Sequence, residues 1–272
     1  MTSLTQLAQG VYAWLADPPG HGRANAGVVI DADGLTLIDT LMVPSQVEPF
    51  AEEVEGFGYP IRRVVLTSPH IPYVGGSGRF WQAAFYGSEH TSEQLDLPPN
   101  VSGYRLLNPA FAAEFPDDLT TRPITHTVSE AAWLTTVLQV APAPGETRGN
   151  LFAVAPGADV CFAGALCSFG VVPLGFEADF EAWVASLDAV AATATRVVPG
   201  QGPLGGEAEV RDLQAYLEAC LDAGGDVSRL AGGPWRDWSH PEFHEVNVER
   251  AALSRAGEDR VPEAMLRLVG LA

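Results

Sequence analysis

Lysine is absent from this sequence. All 15 basic residues are arginine, and they stand against 34 acidic residues, which gives a formal net charge of −19. Without lysine the chain cannot perform chemistry that needs a side-chain amine, such as Schiff-base formation, pyridoxal-phosphate anchoring or the P-loop contact to a nucleotide. A strongly negative chain repels phosphate groups, so neither nucleic acids nor anionic membranes are predicted partners.

Cysteine is scarce, and long apolar runs are missing. Cys161, Cys167 and Cys220 form no CxxC pair, so we predict neither a disulfide framework nor a cysteine zinc site. No apolar run approaches the roughly 20 residues that cross a bilayer. The first residues lack the positive start and apolar run of a secretory signal. These features favour a cytoplasmic protein that does not associate with membranes.

Enough apolar sequence is present to build a large core. Hydrophobic residues make up 47% of the 272 residues and charged ones 18%. Two apolar runs flank the turn at 31–34 and predict a β-hairpin. Pro44 predicts the start of a helix that runs to about Glu55, and residues 63–67 predict a short buried strand. The order of strands and helices suggests two sheets covered by helices. We predict a single domain over residues 1–272, with a helical C-terminal extension from about residue 225.

Two segments between these elements carry weaker patterns. Residues 77–84 predict a short helix. Residues 98–118 are rich in proline and predict an irregular lid or insertion.

Four sequence blocks carry a resemblance to a known family. They read TSPHIPYVGG from Thr67, PGET from Pro144, FAGA from Phe162 and PGQG from Pro199. They resemble, in the same order, the blocks THxHxDHxGG, PGHT, a strand ending in GD, and PGHG of the metallo-β-lactamase superfamily. The resemblance covers most of the chain. It implies an α/β (α+β) fold, a four-layer αββα sandwich with its site at the loop edge of the two sheets.

The family's metal ligands are nearly all replaced. The matching positions hold Ser68, His70, Pro72, Tyr73, Glu146, Ala165 and Gln201, of which only His70 keeps the family's residue type. Catalytic zinc takes about three protein ligands from His, Asp, Glu or Cys. His70 and Glu146 supply two, and proline and alanine supply none. We therefore predict no metal and no other cofactor.

The inherited pocket still contains groups for acid–base chemistry. A carboxylate beside an imidazole fixes its tautomer and raises its pKa, so His70 and Glu146 would form a proton-transfer dyad. Tyr73 would stabilise developing oxyanion or enolate charge. This set favours isomerisation, dehydration, cyclisation or elimination on a small molecule. The lysine-free, Ala/Arg/Gly-rich composition resembles that of proteins from high-GC bacteria and suggests specialised natural-product metabolism.

Other residues are candidates for substrate binding. Gln201 would orient a carbonyl group, and His21 lies in a Pro/Gly loop that the family drapes over its site. Trp235 and Trp238 would wall one side of the cavity, where aromatic side chains bind flat apolar ligands.

Two alternatives stay open from the sequence. In the first, the pocket binds a ligand without turnover, as a pseudoenzyme. In the second, the protein is a hydrolase that uses Ser68 as the nucleophile with His70 and Glu146, or one metal retained at His70 and Glu146. The sequence predicts a small-molecule partner and leaves the oligomeric state open.

Overall fold

Twelve strands form two sheets in the computed structural model, which describes residues 3–230 and 232–271. The first sheet has the order β1-β2-β3-β4-β5-β6-β7, antiparallel through β4 and parallel from β4 onward. Its strands are β1 Leu4–Ala8, β2 Val11–Trp14, β3 Ala26–Asp31, β4 Gly34–Ile38, β5 Ile61–Val65, β6 Ala84–Gly87 and β7 His126–Thr127.

The second sheet has the order β12-β11-β10-β9-β8. Only the β11–β12 pair is parallel among these described strands. The strands are β8 Ala132–Trp133, β9 Gln139–Pro142, β10 Leu151–Ala155, β11 Val160–Ser168 and β12 Arg196–Gln201. The Asn25 amide joins the two sheets, because its Nδ2 donates to the carbonyls of Pro199 and Gly202, each at 2.9 Å.

Helices cover the outer faces of both sheets. They are α1 Pro44–Glu55, α2 Ile71–Val74, α3 Glu89–Leu95, α4 Val101–Leu107, α5 Phe180–Thr193, α6 Glu207–Ala223, α7 Phe243–Arg255 and α8 Glu263–Leu268. Within the ranges that the structure describes, no helix is long and apolar enough to cross a membrane.

Three apolar layers separate these four structural layers. One lies between the sheets and includes Val29, Leu151 and Phe162. A second packs α1 on the first sheet, around Phe50. The third packs α5, α6 and α7 on the second sheet, around Trp183. This arrangement confirms the predicted αββα sandwich. The three cysteines are buried free thiols.

The structure corrects two local predictions. Residues 77–84 form only a 3₁₀ turn, Ser77–Phe80, because the strand β6 already begins at Ala84. Residues 98–118 are not irregular, since they contain α4 and a 3₁₀ helix, Pro109–Glu114. The Asn100 side chain caps α4 by accepting a hydrogen bond from the Gly103 amide at 3.0 Å, which offsets the local proline content.

Candidate active site

The loops after β4, β5, β11 and β12 meet at one edge of the sandwich. Asp39 directly follows β4 with a positive φ of 62°, and its two carboxylate oxygens accept from the Thr67 amide and hydroxyl at 2.8 and 2.7 Å. Gly164 approaches Thr67 so closely that a Cβ at this glycine would lie 2.0 Å from the threonine hydroxyl. Gly164, inside β11, thus lets this strand lie directly against Thr67, which precedes the loop that carries His70.

His70 is bonded to Glu146 through Nδ1. The Glu146 carboxylate is itself anchored, since its Oε2 accepts from the Ser68 hydroxyl at 3.2 Å and from Asn150 Nδ2 at 3.3 Å. Glu146 is buried. The pairing fixes the ring orientation of His70 and directs its Nε2 away from the carboxylate.

Glu177 is a second carboxylate beside His70 that was not predicted from the sequence. Its Oε2 lies 3.4 Å from His70 Nε2, and the preceding Phe176 stacks on the imidazole with ring centroids 5.4 Å apart. No motif marks this loop before α5. Burial alone lowers the pKa of His70, but the charges of Glu146 and then Glu177 outweigh it and hold that pKa well above its ordinary value. The two carboxylates therefore favour the charged form of His70.

Tyr73 and Gln201 are two further polar side chains of the site. Tyr73 is buried on α2, and burial, reinforced by the charge of Glu146, raises its pKa well above the ordinary value. Its phenol therefore stays protonated and available as a donor. Gln201 ends β12 and is also buried.

His21 and Asn108 complete the polar lining. Burial, with a smaller effect from His240, lowers the pKa of His21 to about 4, so this imidazole is neutral. Among the described residues, Nε2 of His21, Nε2 of His70 and Oδ1 of Asn108 are buried without a hydrogen-bond partner. Buried polar atoms are normally paired, so these three atoms indicate a place for a polar ligand group. Asn108 lies in the segment predicted to be irregular, and nothing in the sequence singled it out.

These groups surround one small cavity of about 50 Å³. It brings together five of the predicted site residues, His21, His70, Tyr73, Glu146 and Gln201. Its full lining is His21, His70, Pro72, Tyr73, Tyr104, Leu107, Asn108, Glu146, Ala165, Ser168, Pro173, Leu174, Phe176 and Gln201.

The structure does not bring the other three predicted residues to the cavity. Ser68 is fully buried behind Glu146 and is not part of the lining. Its hydroxyl bonds the carboxylate instead of the imidazole, which is the wrong connection for a nucleophile and its base. Trp235 and Trp238 pack on Tyr216 of α6, with ring centroids 5.6 and 5.5 Å from it, because a 3₁₀ helix at 234–237 folds onto that helix. The predicted tryptophan wall is therefore wrong.

The sequence model of the metallo-β-lactamase superfamily matches residues 19–200. The chain belongs to this superfamily. No curated protein sequence matches the chain.

Solved metallo-β-lactamases share the fold. The FIM-1 enzyme of Pseudomonas aeruginosa, in its mono-zinc form, is 23% identical with a TM-score of 0.60, over 79% of this chain and 94% of that one. DIM-1 is 18% identical with a TM-score of 0.62, over 80% and 97% of the two chains. The sec-alkylsulfatase Pisa1 of a Pseudomonas species is 14% identical with a TM-score of 0.68, over 93% of this chain and 50% of that one.

The family's zinc does not fit the residues of this site. In the part of the chain that the structure describes, no three His, Cys, Asp or Glu side chains are grouped to hold a metal ion. The two remaining donors, His70 and Glu146, bond each other. Pro72 and Ala165 line the cavity where the family has ligands, and neither side chain can coordinate a cation. This chain is a superfamily member that lacks most of the metal ligands.

Proposed function

We propose that this protein is a metal-independent enzyme that carries out acid–base chemistry on a small, partly apolar molecule. The observation that supports it best is His70, held by Glu146 through Nδ1, while its Nε2 borders the cavity 3.4 Å from Oε2 of Glu177 and forms no hydrogen bond to any described residue. A fixed, charged imidazole in a largely buried site is well placed to donate a proton to a substrate oxygen.

Each group has a role in this proposal. His70 Nε2 donates to a carbonyl oxygen, and Tyr73 adds a second donor as negative charge develops there. Glu146 fixes the tautomer and orientation of His70. Glu177 lies just outside the lining of this cavity, with its carboxylate 3.4 Å from His70 Nε2, and it would take the proton from the carbon beside that carbonyl. Its carboxylate is ionised, since His70 lowers its pKa despite the opposing effect of burial.

The reaction class follows from these roles. Removal of a proton next to a carbonyl forms an enol, and this step begins isomerisation, dehydration, elimination and carbonyl cyclisation alike. These reactions occur in specialised natural-product metabolism, which we propose as the setting. The Ser68 hydrolase alternative is disfavoured by the buried position of that hydroxyl and by its bond to Glu146.

Deuterium exchange tests the proposal without knowledge of the natural substrate. Neutral alkyl ketones are incubated with the protein in D₂O, with and without EDTA, and exchange beside the carbonyl is followed by NMR. We expect exchange that EDTA leaves unchanged and that His70→Ala reduces by about 100-fold or more. Glu177→Gln should lose exchange as well, since it removes the base.

Two outcomes would contradict the proposal. Exchange that EDTA abolishes and zinc restores would assign the chemistry to a metal. Binding of the ketones with no exchange above the rate in buffer would favour the non-catalytic binding protein.

A further inference from the structure

A second cavity adjoins the candidate site. It is a groove of about 470 Å³, and His70, Tyr104, Leu107 and Phe176 line both it and the inner cavity. A volume of this size lies in the usual range for small-molecule sites. The inner cavity, at about 50 Å³, has room for only a few atoms.

The groove is lined mainly by apolar side chains. Its walls come from α4 and the preceding loop on one side and from α8 and its flanking residues on the other. Ten large hydrophobic side chains are exposed in the described residues, and four of them line this groove: Leu97, Leu106, Val261 and Leu271. Apolar side chains gathered in one exposed groove are typical of a binding surface.

The charges around His70 restrict the ligand's polar end. Glu146 and Glu177 both contact this imidazole, so two carboxylates accompany one cation. A carboxylate head group would add a third negative charge at short range. A neutral carbonyl can accept from His70 Nε2, which borders the same cavity, without that repulsion.

From this arrangement we infer the substrate class: a molecule with a neutral carbonyl head in the inner cavity and an aliphatic tail in the groove. The inference rests on the proposed function, since it uses the same His70. The groove shares His70 and Phe176 with the inner cavity. It contributes binding affinity that increases with the length of the aliphatic tail.

A homologous series tests this inference by binding alone. The affinities of 2-hexanone, 2-octanone and 2-decanone are measured by calorimetry, beside hexanoate, octanoate and decanoate. We expect binding to tighten by about two- to fourfold for each added methylene of the ketones. The carboxylates should bind at least about tenfold more weakly than ketones of equal length, because of the repulsion by Glu146 and Glu177.

A matched pair of variants locates the tail. Leu106→Asp places a charge in the groove at a side chain that is already exposed, so folding should be preserved. In this variant, the binding affinity of the ketones should no longer increase with tail length. Val137→Asp makes a similar change at an exposed position outside the groove and should leave that dependence unaltered.

The results separate this inference from the proposed function. The inference would be overturned if affinity did not depend on tail length, or if Leu106→Asp kept the same dependence of affinity on tail length. Either result would do so even if His70-dependent exchange occurs. Tail-dependent binding without exchange would support the groove while the catalytic proposal fails. Sedimentation that shows a dimer lost on Leu106→Asp would assign the groove to a contact between copies and overturn the inference.

Discussion

The Ser68 hydroxyl donates to Oε2 of Glu146 at 3.2 Å, and Oε1 of the same carboxylate bonds the imidazole of His70. The carboxylate therefore lies between the serine and the histidine. A nucleophilic serine needs the imidazole as its direct neighbour. Ser68 is thus a positioning residue that helps to hold Glu146 in place.

Ser68→Ala should consequently have a small effect on turnover. We expect the exchange rate to fall by less than about tenfold, in contrast with the loss of about 100-fold or more for His70→Ala. The variant leaves one hydrogen bond to Glu146 unmade, so its free energy of unfolding should drop by about 1–2 kcal/mol. Kinetics and denaturant unfolding measure the two effects. Complete loss of activity, or a covalent adduct on Ser68, would contradict this role.

His70 should be charged at neutral pH. Because the raised pKa reflects the charges of Glu146 and then Glu177, Glu146→Gln should lower it more than Glu177→Gln, whose side chain is half exposed. The stability that this charge contributes is present in full below the unfolded pKa of about 6.5 and is lost as pH rises through the folded value. NMR titration of the imidazole carbon protons measures each pKa. Titration of wild-type His70 near its ordinary value would be inconsistent with the geometry.

Asp39 should make stability depend on pH in the acidic range. Burial raises its pKa from 3.8 to about 7, although hydrogen bonds from Thr67 oppose the shift. The folded state therefore keeps a proton that the unfolded chain loses, so this contribution is complete below pH 3.8 and disappears as pH rises through about 7.

Asp39→Asn isolates that effect, because the amide oxygen still accepts from the Thr67 backbone but the group cannot ionise. Between pH 5 and pH 8, the wild type should lose on the order of 2 kcal/mol of unfolding free energy relative to the variant. Urea unfolding at both pH values measures the difference. Parallel pH profiles for the two proteins would show that Asp39 ionises normally.

Gly164 should tolerate no side chain. Its φ is +52°, and a Cβ would lie 2.0 Å from the Thr67 hydroxyl. Gly170 has a similar φ of +67°, and among the described residues no atom beyond its chain neighbours lies within 4 Å of a Cβ added there, so it serves as the matched control. Gly170→Ala should cost about 1–2 kcal/mol for the left-handed backbone alone. Gly164→Ala should cost at least about 3 kcal/mol, because overpacking adds to that strain. Equal losses in the two variants would refute the close contact.

The fold could be predicted from the sequence because its signals are local and ordered. The turn at 31–34, the helix from Pro44 and the block from Thr67 to Gly76 each carry their own pattern, and the order of four blocks implies the sandwich. The positions of His70, Tyr73, Glu146 and Gln201 followed from the same blocks, since the family brings those positions to one point.

The site residues outside these blocks are brought together by tertiary packing, which no sequence motif indicates. Glu177 and Phe176 lie in a loop before α5, and Asn108 ends α4, so only tertiary contacts place them beside His70. The tryptophan prediction was wrong for the same reason. An aromatic side chain near a site in sequence can equally pack on a helix, as Trp235 does on Tyr216.

The zinc content of the purified protein, after equilibrium dialysis against micromolar zinc, distinguishes metal-independent from metal-dependent chemistry at His70. We expect far less than one zinc per chain, with the same value for His70→Ala, because His70 and Glu146 bond each other and no third donor among the described residues completes a site. One tightly held zinc per chain that His70→Ala removes would contradict metal-independent chemistry and make His70 and Glu146 metal ligands.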